Sequence, residues 1–236
     1  MSGAQWLPLE SNPDVMADYI HALGVSRAWS WSDVYGFDPE LLAMVPQPVR
    51  AVMLLFPISE TSERRKQEQE AHVATHGQVV SQRVFFMTQT VGNACGTVGI
   101  LHALCNNVEE LQLEPGSWLH TWVGKTSGLD SQTRGTALAE DTTLAEAHSA
   151  QASGGQSAVP DSDEEVNLHF VCFVHVDGGL YELDGRRPSA HRHGDTTAES
   201  LLADAARIIQ REYVEASDGA VSFNVMALCG PLAPDA

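Results

Sequence analysis

The sequence predicts an α+β fold, a single domain spanning residues 1–236 with a mixed or antiparallel sheet between helical layers. Three observations carry this. Two apolar runs, VRAVMLLFPI from Val49 and VFFMTQT from Val84, read as buried strands. NLHFVCFVHVDGGLYELDGRRP holds two strand-like runs around Asp177-Gly178, the strongest short-range hairpin signal. ESLLADAARIIQREYVEA has helical spacing, with Leu201, Ala205, Ile208 and Ile209 turned inward.

The elements follow in order. Ser11 or Asn12, with Pro13 next, starts a helix whose apolar face is Val15, Met16, Ile20 and Leu23; Gly24 ends it. SDVYG reads as a short strand. DPELLAMV reads as a short helix capped by Asp38, with Pro39 in its first turn. The strand from Val49 is a continuous apolar run apart from Arg50, which predicts a central position covered on both faces. ETSERRKQEQEAHVATHG is an exposed helix or a mobile segment. After the second apolar strand, ACGTVGILHALCNN reads as a buried helix with Val98, Leu101 and Cys105 on one stripe. GSWLHTWV and TALAEDTTLAEAH read as helices with weaker patterns, and Trp118 and Trp122 share one face. From about His148 to Glu164 the chain loses periodicity and fills with Ser, Gly, Ala and acid, the composition of a loop long enough to suggest function or disorder. AVSFNVMAL is the last strand.

Charge and composition narrow the function. The 236 residues carry a net charge of −18, from 31 acidic and 13 basic residues. That disfavours nucleic acid, whose phosphates need Lys and Arg, and favours a basic partner or none that is charged. The start of the chain lacks the basic and apolar regions of a signal peptide, and no run is long and apolar enough for a membrane span. The expectation is a soluble, cytoplasmic protein, with nuclear presence left open, that acts as a monomer. The four cysteines, Cys95, Cys105, Cys172 and Cys229, form no C-x-x-C pair and have no zinc-finger spacing. They read as free thiols.

One thiol stands apart. Cys95, in QTVGNACGTVGI, sits where a loop enters a helix, a position whose unpaired N–H groups favour a thiolate. Asn93 reads as the N-cap, and Gly96 and Gly99 leave the approach open. Cys105, Cys172 and Cys229 fall in apolar patterns and should be inert. The hairpin supplies a base. With a two-residue turn at Asp177-Gly178, Val176 faces Gly179 and Val171 faces Asp184. His169 and Asp184 then project from the same face as diagonal neighbours, with Cβ atoms roughly 7–8 Å apart. A carboxylate aimed at an imidazole fixes its tautomer and stabilises the imidazolium. Alone, His169 would read as a core histidine and Asp184 as a turn cap. Gln89, six residues before Cys95 at the end of a strand, can bring a side-chain amide to an oxyanion, beside the Cys95 N–H. The set of Gln89, Cys95, His169 and Asp184 is that of a thiol protease.

These stretches, with the opening WLPLESNP and DVYGFDPELLAMVPQPVRAVMLLFPI, resemble the ubiquitin C-terminal hydrolases, small papain-like cysteine deubiquitinases, from about Trp6 to Leu228. The resemblance implies a papain-like fold with a mostly antiparallel sheet between helices and a knotted backbone. It implies Cys95 as nucleophile, His169 as base and acid, Asp184 as its orienter and Gln89 as oxyanion donor. The substrate would be ubiquitin carrying a small or flexible adduct on its C-terminal glycine, and residues 148 to 164 would be the loop that crosses the cleft. No metal or organic cofactor is implied. Glu10, Asp14 and Asp33 match the positions that bind ubiquitin's arginine-bearing tail, and Pro8-Leu9 would run along bound ubiquitin. Asp14 stands where a glutamate is expected. Two other readings stay open: a protein that binds and stabilises ubiquitin with little turnover, and a hydrolase of a ubiquitin-like modifier such as NEDD8. Residues 115 to 147 match the family only in outline.

Overall fold

The computed structural model describes residues 5–154, 167–217 and 223–231. In chain order the elements are α1 (Pro13–Ala22), β1 (Ser30–Asp33), α2 (Pro39–Leu42), β2 (Val49–Pro57), α3 (Glu60–His76), α4 (Cys95–Cys105), α5 (Trp118–Thr126), α6 (Ser131–Glu140), α7 (Thr142–Ala152), β3 (Leu168–Val176), β4 (Gly179–Leu183), β5 (His191–Asp195), α8 (Leu201–Ile209), continued by a π-helical turn at Gln210–Val214, and β6 (Asn224–Cys229). The strands form one sheet in the order β1-β6-β2-β3-β4-β5, and all of its neighbouring strands are antiparallel.

β2 lies inside the sheet, as the apolar run from Ala51 onward requires. Its residues alternate between two cores. Ala51 and Met53 join Phe170, Cys172 and Val174 of β3 on the face covered by α4 and α1. Val52, Leu54 and Phe56 join Val171, Phe173 and the inward face of α8 on the other. Three layers result, with β2 and β3 buried on both sides.

The β3–β4 hairpin turns at Asp177 and Gly178, with φ of 47° and 77°. Two successive positive values are what a type I′ turn demands, and Asp-Gly meets that demand cheaply. The register is Val176 with Gly179, His175 with Leu180 and Cys172 with Leu183, the pairing counted from the sequence. α1 is capped by Asn12, whose side chain accepts from the Asp14 N–H at 2.9 Å. α3 is a helix, started by a reciprocal capping box between Ser59 and Ser62. It buries no residue, and is tied down by Arg65 over the Tyr213 ring and by Gln69 donating to Glu212 at 2.6 Å.

Several expectations need correction. The strand expected at SDVYG lies earlier, at Ser30–Asp33. VFFMTQT belongs to no strand, because its backbone finds partners elsewhere. Phe85 exchanges hydrogen bonds with the Asn106 side chain, Met87 N–H reaches His102, Thr88 N–H reaches the Ser131 carbonyl, and Gln89 N–H reaches the Gly185 carbonyl. The loop expected from His148 starts later: α7 runs through Ala152, and His148 is buried within it. Residues 155 to 164 of that loop lie outside the described residues. No described helix is long and apolar enough to cross a membrane.

Candidate active site

Cys95 is the first residue of α4, and no side chain caps that helix. The expected cap, Asn93, sits at φ 59° and leaves the Ncap position to Ala94. An uncapped N-terminus keeps its first N–H groups available to an anion. Gly96 and Gly99 do not hold an approach open, as the sequence suggested. A Cβ on Gly96 would meet Leu9 side-chain atoms at 3.0 Å and 3.1 Å, and one on Gly99 would meet Met53 Sδ at 2.7 Å. These glycines let α4 press against the N-terminal segment and the sheet.

The partner groups come from the hairpin. His169 is the second residue of β3, and Asp184 follows the last residue of β4. His169 Nε2 lies 2.7 Å from Asp184 Oδ1, and each residue is 3% exposed. Asp184 Oδ1 also accepts the Arg186 N–H at 2.8 Å. Phe56 meets the imidazole edge-on, with ring centroids 5.8 Å apart. Since Nε2 is taken, the Nδ1 of His169 is the nitrogen that serves Cys95, with which His169 shares a hydrogen bond.

The electrostatics follow from this contact. Burial alone would push the Cys95 thiol up, but the hydrogen bond and charge of His169, with N–H groups of Phe170 and Gly96, hold it below its ordinary value. Burial alone would push His169 down; its bonds to Asp184 and Cys95 outweigh this and raise it to about 9. Asp184, also penalised by burial, is held below the usual carboxylate range by the same imidazolium and by the Arg186 N–H. Each partner therefore favours the charged form of the next. The other thiols behave oppositely: burial pushes Cys105 and Cys229 up to about 12 and raises Cys172 as well.

Gln89 is brought to the same place through its backbone, whose N–H donates to the Gly185 carbonyl at 2.8 Å. Its side-chain Nε2 donates to the Val91 carbonyl at 3.0 Å, and its Oε1 is buried without a partner. Pro8 is half-buried and Leu9 is buried in the core against Gly96, so Leu9 offers its backbone, not its side chain, to the surface. Glu10 is half-buried and accepts from Asn12 Nδ2 at 3.4 Å. Asp33, at the end of β1, accepts from Asn224 Nδ2 at 3.3 Å. Asp14 is exposed in the first turn of α1.

Sequence reasoning missed a buried polar cluster next to Asp184. Glu182, fully buried, accepts from Arg187 at 3.1 Å, Tyr213 at 2.8 Å and His193 at 2.7 Å. Arg187 also donates to Gln69 of α3 at 2.6 Å, and its Nε lies 3.9 Å from Asp184 Oδ2. The signal was a charged residue inside the apolar strand LYEL. Glu182, His193 and Glu212 bring potential ligand atoms within 4.8 Å of one another. All three are already engaged, by Arg187, Arg65 or one another, which is the chemistry of an ion-pair network and not of a cation cage.

A thiol at a helix N-terminus, facing an imidazole that a carboxylate holds, puts the chain among the thiol-dependent hydrolases. The chain belongs to the ubiquitin carboxyl-terminal hydrolase family: the model of ubiquitin carboxyl-terminal hydrolase, family 1, matches residues 6–214. It is 43% identical over 223 residues to a probable ubiquitin carboxyl-terminal hydrolase of Dictyostelium discoideum, covering 94% of this chain and 87% of that one. It is 41% identical over 227 residues to the isozyme L1 of Rattus norvegicus, covering 95% and 98%. Among solved structures it is similar to the UCH37 catalytic domain of Trichinella spiralis bound to ubiquitin vinyl methyl ester, with a TM-score of 0.74 at 24% identity and 97% of each chain covered. At that identity the likeness speaks for the fold.

Proposed function

We propose that this protein is a cysteine protease that cleaves small or flexible adducts from the C-terminal glycine of ubiquitin. The observation that carries the reading is the buried His169–Asp184 pair hydrogen-bonded toward Cys95. In this reading the Cys95 thiolate attacks the glycine carbonyl. Charge developing on the oxygen is met by the Cys95 N–H and the Gln89 amide. His169, protonated at the outset, gives its proton to the leaving amine, then takes one from the water that releases ubiquitin from the thioester. Asp184 keeps Nδ1 of the ring turned to the sulfur throughout.

Binding follows from charge. The protein carries a net −18, and Glu10, Asp14 and Asp33 are the groups assigned to the basic tail of ubiquitin, with Pro8-Leu9 beside it. The first test is release of a fluorophore from the ubiquitin C-terminus. Wild type should turn it over, and Cys95→Ala should bind ubiquitin without cleaving. A ubiquitin C-terminal electrophile should label Cys95 and none of the other three thiols. Tight binding with no turnover by wild type would favour a stabilising protein instead, and faster turnover of a NEDD8 reporter would change the substrate.

A further inference from the structure

His148 sits in the last turns of α7, 1% exposed. Its Nε2 lies 2.6 Å from the Leu7 carbonyl and its Nδ1 lies 2.8 Å from Thr97 Oγ1. The Tyr19 hydroxyl lies 3.1 Å from the same Oγ1. A carbonyl can only accept, so Nε2 carries the proton. Nδ1 of the neutral ring is then an acceptor, and the Thr97 hydroxyl donates to it. Tyr19 in turn donates to Thr97. With a neutral ring every direction in this buried chain is fixed, and burial disfavours the charged form of His148, holding it below its ordinary value against the bond to Leu7. The Trp6 ring packs on the imidazole at 4.5 Å.

The chain joins two parts of the site. Thr97 is two residues beyond Cys95 in the first turn of α4, and Leu7 immediately precedes Pro8, Leu9 and Glu10. The N-terminal segment is also fastened by the Trp6 N–H, which donates to the Gly92 carbonyl at 2.9 Å, and by Leu9 against Gly96. We infer that His148 is a positioning residue: it holds the segment from Trp6 to Glu10 in register with the start of α4, so that substrate bound along the segment is presented to Cys95. This rests on the proposed roles of that segment and of Cys95.

The test has two arms, both on the full chain. The first is amide exchange without substrate. In His148→Ala, a peptide covering residues 5 to 10 should exchange about tenfold faster, one lost hydrogen bond's worth, while β2 and β3 keep wild-type rates. The second is kinetics with the ubiquitin reporter. His148→Ala should raise KM by about tenfold and lower kcat less, as expected when ground-state binding is lost. His148→Gln, whose amide can still donate to the Leu7 carbonyl, should restore most of the KM. His148→Asn, whose shorter amide reaches only the Nδ1 position, should not. Wild-type exchange over residues 5 to 10 in His148→Ala overturns the inference. So does an unchanged KM below its melting temperature, or rescue by Asn and not by Gln. If His148→Ala fails to fold, the Gln and Asn pair still decides. A wild type inert toward the reporter sinks the proposed function, while the exchange arm still reads the coupling.

Discussion

Asp184 directs one carboxylate oxygen at two donors: its Oδ1 accepts from His169 Nε2 at 2.7 Å and from the Arg186 N–H at 2.8 Å. The backbone N–H fixes the carboxylate, and the carboxylate fixes the ring. Asp184→Asn can keep an oxygen in that position but removes its charge. The imidazolium then loses its stabilising partner, and His169 should fall from about 9 toward its ordinary value. We expect kcat on the ubiquitin reporter to drop roughly 10²-fold or more, with the alkaline limb of the profile moving to lower pH and ubiquitin affinity unchanged. An alkaline limb that stays in place would show that Asp184 does not govern His169.

The wild-type profile has a definite shape. Below about 9 His169 is protonated and can hold a thiolate; above it the proton is lost and turnover should fall. On the acid side the limit is protonation of Cys95, which lies below its ordinary value of 9.0. Turnover should therefore be bell-shaped. Iodoacetamide should alkylate Cys95 first at neutral pH; Cys105, half-buried but raised to about 12, should react far more slowly, and the buried Cys172 and Cys229 only once the protein is unfolded. Mass mapping of the alkylated peptides checks both statements.

The cluster beside Asp184 predicts a stability effect. Arg187→Met leaves Glu182 with less compensation in a fully buried site. Breaking such a pair costs about 3–5 kcal/mol, to be read from urea unfolding at pH 7. The sign with pH follows from Glu182, which Arg187, His193 and Arg65 hold well below the usual range against the penalty of burial. Its contribution is present above the unfolded value and lost as pH falls through the folded one. The gap between wild type and Arg187→Met should therefore narrow on acidification.

What was legible in the sequence was local. Asp177-Gly178 fixed a turn that needs two positive φ values, and period-two alternation then brought His169 and Asp184 to one face. The strand at Val49 announced its central place by apolarity on both faces. What stayed hidden depends on distant partners. The run VFFMTQT looks like a strand, yet its hydrogen bonds go to Asn106, His102, Ser131 and Gly185. α3 could be a helix or a mobile segment until Tyr213 and Glu212 were seen to anchor it. Gly96 and Gly99 suggested open space because a sequence does not show that Leu9 and Met53 fill it. His148 looked like the first residue of a loop because its partners, Leu7 and Thr97, lie far away along the chain.

Gly185 links Asp184 to the stretch that carries Gln89. A Cβ there would meet Val98 Cγ1 at 2.9 Å, Gln89 Cβ at 3.0 Å and the Gln89 nitrogen at 3.1 Å. Gly185→Ala must therefore displace the stretch that carries Gln89, whose N–H donates to the Gly185 carbonyl. We expect a loss of about 1–3 kcal/mol in stability and a fall in kcat that exceeds any rise in KM. Gly128→Ala, with nothing within 4 Å of its Cβ, is the control and should match wild type in both.

The acidic groups proposed to meet the ubiquitin tail should not contribute equally. Asp33 is half-buried and oriented: it accepts from Asn224 Nδ2 at 3.3 Å, and Asn224 Oδ1 accepts from Ser11 Oγ at 2.6 Å. Asp14 is exposed on the first turn of α1, where water competes for it. A pre-oriented carboxylate loses little side-chain freedom when it meets a guanidinium, whereas an exposed one forfeits most of the gain to screening and entropy. Asp33→Asn should weaken ubiquitin binding by about 1 kcal/mol at low salt, and Asp14→Asn by a few tenths at most. Calorimetric titrations at about 0.01 M and 1 M salt, where the screening length falls from about 30 Å to 3 Å, should show the Asp33 difference shrinking. Equal losses for the two variants would mean that orientation by Asn224 plays no part in how the tail is held.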